Sequence, residues 1–166
     1  MIIRHDRSDR ESPDFAPLWE GLEGDESTDT IDLALVELET PVENVQPYEL
    51  YTDSDEQGQE IIVPGAGECG NGLKGARGSD RQLRRVTNLV DETDAPPDGT
   101  FLEGVAGRGD SGGPALIQRA SRLLLAGVSS WQDTGDKPLG LYGCIEHYTR
   151  VSCFIDWIRA TCASSL

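Results

Sequence analysis

Apolar residues along this chain come in short runs, separated by glycine, proline and charge. Ile31-Asp32-Leu33-Ala34-Leu35-Val36-Glu37-Leu38, closed by Pro41, has the length and make-up of a buried strand. Glu60 to Pro64 and Leu83 to Val90 read as two more, while Ala115-Leu116-Ile117 and Leu123 to Ser129 read as a pair joined by a charged turn. Tyr148 to Val151 closes the series. A helix follows, with Phe154, Ile155, Trp157 and Ile158 as its apolar stripe and Ser152 placed to cap it. Residues 6 to 30 are polar and broken by Pro13, Pro17, Gly21 and Gly24, which predicts a long surface loop, and a second glycine-rich stretch runs from Gly65 to Gly78. Short strands at roughly 8–12-residue spacing with one terminal helix predict an all-β fold, an antiparallel barrel or sandwich. No internal repeat is visible.

A length of 166 residues suits one compact domain, or most of a protein built from two. The longest apolar runs fall far short of the roughly 20 residues that cross a bilayer as a helix, so no membrane partner is expected. The net charge of −16 is unevenly placed: residues 1–60 hold 18 acidic and 3 basic side chains, and residues 61–166 hold 12 and 11. Such an acidic surface repels a phosphate backbone, which argues against nucleic acid as a partner. Asp25, Glu26 and Asp29 cluster without EF-hand spacing and read as a solvated acidic face. Cys69, Cys144, Cys153 and Cys162 show no C-x-x-C pairing, so no zinc site is expected, and no cofactor is implied, while calcium at the acidic cluster stays an open alternative. Cys153 and Cys162 fall on the same predicted helix about 13 Å apart along its axis, too far for a disulfide. The N-terminus, Met1-Ile2-Ile3-Arg4-His5-Asp6, lacks the apolar core of a signal peptide.

Two features point to chemistry. Asp32 interrupts an apolar run, and a carboxylate there is costly unless it meets donors or a cation; the alternative is an edge position facing water. Gly109-Asp110-Ser111-Gly112-Gly113-Pro114 sets three glycines and a proline around one serine. Such a loop bends sharply and turns consecutive N–H groups inward, as an oxyanion site requires. By itself it is also an ordinary turn.

Taken together, these segments resemble the trypsin-like, chymotrypsin-fold serine endopeptidases. Gly109 to Pro114 matches the family's nucleophile hexapeptide, and Asp32 to Leu38 with Pro41-Val42 matches the strand bearing the triad aspartate. Gly127-Val128-Ser129-Ser130-Trp131 is similar to the substrate-binding strand, and Tyr148-Thr149-Arg150-Val151-Ser152 with Trp157-Ile158 to the closing strand and helix. The order is the family's over nearly the whole chain. Gly65 to Val90, with Leu83-Arg84 and Thr87-Asn88, looks most like bacterial branches. The resemblance implies a double β-barrel in which residues 1–55 are the remnant of an incomplete first barrel and 56–166 are the second barrel with its helix. It also implies a protein or peptide substrate, a monomer when full length, and a secreted or periplasmic location.

The implied roles are specific. Ser111 is the nucleophile, the N–H groups of Gly109 and Ser111 hold the oxyanion, and Asp32 orients an imidazole. Ser130 hydrogen-bonds near Asp32, and Ser130 to Gln132, with Trp131 between them, pair with an extended substrate. Asp110 in active members meets a newly cut N-terminal ammonium, for which this chain shows no activation site. Val105 stands where Lys/Arg-cleaving members carry Asp, Gly107 replaces a cysteine, and Glu146 replaces a pocket-wall glycine. That combination suggests a pocket for basic or mixed basic and aromatic side chains; Glu146 turned into solvent is the alternative.

Histidine is the departure. The family order is His, Asp, Ser, yet only His5 precedes Asp32, in a setting unlike the family's Ala-Ala-His-Cys, and His147 adjoins Tyr148 on the closing strand facing away from Ser111. Without an imidazole at the serine hydroxyl the proton has no acceptor, so the expectation is an N-terminally truncated protease, inactive or nearly so and poorly soluble. A non-catalytic homologue binding a partner through the old groove is the competing reading.

Overall fold

The computed structural model describes residues 32–91 and 105–164. Eight strands run in the order β1 (Glu49–Leu50), β2 (Glu60–Gly65), β3 (Gly70–Asn71), β4 (Gly75–Ala76), β5 (Arg84–Leu89), β6 (Pro114–Arg119), β7 (Arg122–Asp133) and β8 (Ile145–Arg150). A 3-10 turn, Val151–Phe154, leads into helix α1, Ile155–Ser164. Six strands form one sheet in the order β1-β7-β6-β2-β5, with β8 also on β7, and β3-β4 form a small hairpin. All the pairings are antiparallel except β1 on β7. The architecture is the trypsin-like one expected from the sequence, mostly strands with one short C-terminal helix, though the sheet does not close on itself among the described residues.

The period of two, reset once in β7 where Ala126 is left opposite no residue of β6, sorts the apolar residues onto two faces of this sheet. Ile61, Val63, Ala115, Ile117 and Ala126 pack on one side with Tyr51, Ala106 and Tyr148. Leu116, Leu125 and Val128 face the other, where Leu33, Val151, Ile155 and Ile158 cover them. Ile155 and Ile158 of the helix stripe are buried as their spacing predicts and Trp157 is half-buried, whereas Phe154, also half-buried, lies in the 3-10 turn rather than in the helix.

Three local expectations are corrected. Residues 32–38 form no strand: Leu33 is buried, but Val36 and Leu38 are exposed and the segment finds no ladder partner among the described residues. Ser152 does not cap the helix, because its hydroxyl donates to the buried Glu56 instead. Cys153 lies in the 3-10 turn rather than in α1 with Cys162, and all four cysteines are free thiols. The connection before β2 is held by charge. Arg150 Nη2 reaches Glu56 Oε2 at 2.6 Å, and Arg119 bonds Gln59, Asp55 and the hydroxyl of the fully buried Tyr51, which in turn donates to Asp55. Exposed apolar side chains gather upstream, at Val36, Leu38, Val42, Val45 and Tyr48.

Candidate active site

Against β8, strand β7 carries one extra residue. Ser129 pairs with Tyr148 and Trp131 with His147, so Ser130 is left opposite no residue of β8. A bulge of this kind turns a side chain off the regular alternation. Here it turns the Ser130 hydroxyl to Asp32, donating to Oδ2 at 2.8 Å, while Thr149 Oγ1 on β8 donates to the Asp32 carbonyl at 2.9 Å. Asp32 is thus half-buried and anchored, which answers the cost of a carboxylate in an apolar run.

The bulge has a second result. Residues 129 and 132 of a regular strand face opposite sides, but across an inserted residue they share one. Ser129 Oγ donates to Glu146 Oε1 at 2.8 Å and Gln132 Nε2 to Glu146 Oε2 at 2.7 Å, with the Ala106 amide also supporting that carboxylate. Glu146 therefore points inward rather than into solvent. Burial pushes its carboxyl above the usual range and the Asp110 charge adds to this, against the opposing pull of its three donors. Burial likewise raises the Tyr148 phenol well above its ordinary value. Gln132 Oε1 is buried without a donor.

The serine loop is shaped by glycine. Gly109 and Gly112 take φ of +97° and +77°, which side chains rarely adopt. Asp110 is clamped by two amides, Gly67 N–H to Oδ1 at 2.7 Å and Gly107 N–H to Oδ2 at 2.9 Å. A Cβ at Gly65 or Gly67 would stand 2.3 Å and 2.8 Å from that carboxyl, so the Gly65-Ala66-Gly67 spacing makes room for it. Glu68 N–H to Arg108 O, at 2.8 Å, ties the same two loops. Ser111 projects, exposed, and the amides of Gly109 and Ser111 make no hydrogen bond among the described residues.

Strand β7 joins these two halves. Gly112 N–H donates to Ser129 O at 2.8 Å and Ser129 N–H to Gly113 O at 2.9 Å, while the next residue, Ser130, holds Asp32. Val105, Asp110, Ser130, Trp131 and Glu146 line one open cavity of about 860 Å³; Asp32, Ser111 and Gln132 stand outside its lining. Trp131 and His147 stack with ring centroids 3.8 Å apart, so that imidazole lies flat against an indole. His5 and the Asp25, Glu26, Asp29 cluster lie outside the described residues. Among the described residues no three His, Cys, Asp or Glu side chains gather as a metal site, and no helix is long and apolar enough to cross a membrane. The sequence assigned no role to Gly67, and it did not show Ser129 holding Glu146 or Gly107 holding Asp110. A bulge leaves no compositional mark, and only the glycine spacing at 65 and 67 hinted at the clamp.

Comparison with known proteins agrees with this geometry. A 55-residue stretch is 44% identical to the Spaetzle-processing enzyme of Drosophila melanogaster, covering 31% of this chain and 13% of that protein's length. A profile of the family described as Trypsin matches residues 19–158, from the acidic N-terminal region into α1. With a match of that extent over a sheet, serine loop and terminal helix in the expected order, the chain belongs to the trypsin family of serine proteases.

Proposed function

We propose that the chain carries the nucleophile half of a serine endopeptidase site, with Ser111 as nucleophile, the Gly109 and Ser111 amides as oxyanion donors and Asp32 as the carboxylate that orients an imidazole. The observation that supports it best is the continuous link from Asp32 through Ser130 and Ser129 to Gly112 and Gly113, which holds the carboxylate and the serine loop to one short piece of β7. Unbonded amides beside an exposed hydroxyl suit a developing oxyanion. Substrate runs along Ser130, Trp131 and Gln132, whose other edge has no strand partner among the described residues, and its side chain enters between Val105 and Glu146. A basic side chain suits that entrance, because the buried Gln132 Oε1 lacks a donor and Glu146 lacks a cation among the described residues. The substrate is a protein, and export from the cytoplasm is the location the resemblance favours.

His147 stacks on Trp131 and is not assigned as the general base. With no imidazole assigned, turnover by Ser111, Asp32 and the two amides alone is slow, and a groove used for binding alone is the second reading. A fluorophosphonate probe decides between them. Slow phosphonylation at Ser111, seen by mass spectrometry, lost in Ser111→Ala and accelerated by added imidazole, is expected of the protease. No labelling of Ser111 under any condition, with peptide binding retained, favours the binding module. A peptide panel run on labelling-competent protein tests specificity, and indifference to Lys or Arg removes the role given to Glu146.

A further inference from the structure

The chain's charge has one sharp exception. Residues 74–85, from the β3-β4 hairpin to the start of β5, hold Lys74, Arg77, Arg81, Arg84 and Arg85 against Asp80 alone, five of the chain's 14 cations in a protein with net charge −16. All five are exposed. Arg84 is engaged, both guanidinium nitrogens meeting Asp80 at 2.6 and 2.7 Å. Lys74, Arg77, Arg81 and Arg85 make no ion pair among the described residues. Two large apolar side chains lie in the same stretch, Leu73 at 80% and Leu83 at 78% exposure.

This stretch has a fixed shape. Asn71 Oδ1 accepts the amides of Leu73 and Lys74 at 3.2 and 3.0 Å, closing the β3-β4 hairpin, which is tied to the neighbouring loop by Tyr142 N–H to Gly72 O at 2.9 Å and Ala76 N–H to Leu139 O at 3.1 Å. Ser79 Oγ donates to Ala66 O and accepts the Arg81 amide, which holds Arg81 at φ +60°. The hairpin begins beside Glu68, whose amide is bonded to the serine loop. A positive, leucine-bearing surface is thereby held next to the candidate site while the rest of the molecule repels anions.

We propose that this stretch docks an acidic, leucine-containing segment of the polypeptide substrate, outside the cleavage site itself. Calling the ligand a substrate rests on the endopeptidase reading; the docking does not. A polypeptide fits better than a sulfated polysaccharide or nucleic acid, because the exposed leucines give it apolar contacts and the strongly negative remainder opposes a long polyanion.

The test uses Ser111→Ala in the full chain, so that no hydrolysis intervenes, and a fluorescein-labelled peptide composed of Glu, Asp, Leu and Gly, read by anisotropy. Binding that weakens as salt rises, falls at least about tenfold in Arg77→Glu/Arg81→Glu, and falls severalfold in Leu73→Ser/Leu83→Ser is the expected result. Three results overturn the proposal: peptide binding unchanged in both double variants, heparin bound more tightly than the peptide and indifferent to the leucine changes, or salt-sensitive self-association through the acidic segment 36–48 that the peptide does not displace. If the peptide docks but Ser111 in the unsubstituted chain never reacts with phosphonate, the docking surface stands and the protease reading alone falls.

Discussion

Glu56 and Glu146 are both carboxylates drawn largely out of water, yet their surroundings push them in opposite directions. Glu56, 3% exposed, meets the Arg150 guanidinium and the Ser152 hydroxyl. Burial raises its carboxyl, but those two hydrogen bonds outweigh it and hold the group below its ordinary value. Nearby, burial and the bond to Asp55 push the Tyr51 phenol up to about 12, within reach of Arg119. Glu146 has only neutral donors around it, and burial wins. The connection side of the sheet thus pairs its buried carboxylate with a guanidinium, while the pocket side holds a carboxylate that meets only neutral donors.

Breaking the first arrangement has the largest effect. Glu56→Ala strands a half-buried guanidinium and is expected to cost about 3 kcal/mol in denaturant unfolding. Because the folded protein holds Glu56 below its usual value, its contribution is present above the unfolded pKa of about 4.3 and is lost as pH falls through the lower folded value. Acid unfolding of Glu56→Gln should accordingly lack part of the unsubstituted protein's pH dependence. Gly65→Ala comes next: its Cβ would overlap the Asp110 carboxyl at 2.3 Å, and about 2 kcal/mol of stability with roughly tenfold slower phosphonylation of Ser111 is expected. Arg119→Met, at a half-exposed pair, should cost only about 1 kcal/mol. Glu146→Gln has the smallest effect and the most informative sign. A carboxyl raised on folding is tolerated when protonated and destabilises as pH rises through its folded value, so the glutamine variant should gain on the unsubstituted protein from acid to neutral pH. The Gln132 amide can turn to accept from the new donor, since its own oxygen is unpaired. A difference in melting temperature that shrinks with rising pH would contradict the assignment.

Several strands were legible from composition: β2, β5 and the start of β7 lie within a residue or so of their expected limits, and β6 runs two residues past its expected end. The continuation of β7 through Ser130, Trp131, Gln132 and Asp133 was not, because it has no apolar alternation and is held by β8 rather than by its own pattern. Asp32 to Leu38 shows the reverse failure. Its residues suit a strand, but a strand exists only where another edge receives it, and the run alone cannot supply that edge. At the site, the serine loop was visible through its glycines. Glu56 taking the Ser152 hydroxyl, across 96 residues of sequence, was beyond any local rule.

The position left unpaired against β8 at Ser130 sets the parity of everything after it in β7. Ser129 and Gln132 converge on one glutamate because of that one insertion, while Trp131 stays half in solvent against His147. A deletion there would restore regular alternation and leave Ser129, Trp131 and Gln132 on the faces they already occupy, but it would remove the hydroxyl that holds Asp32.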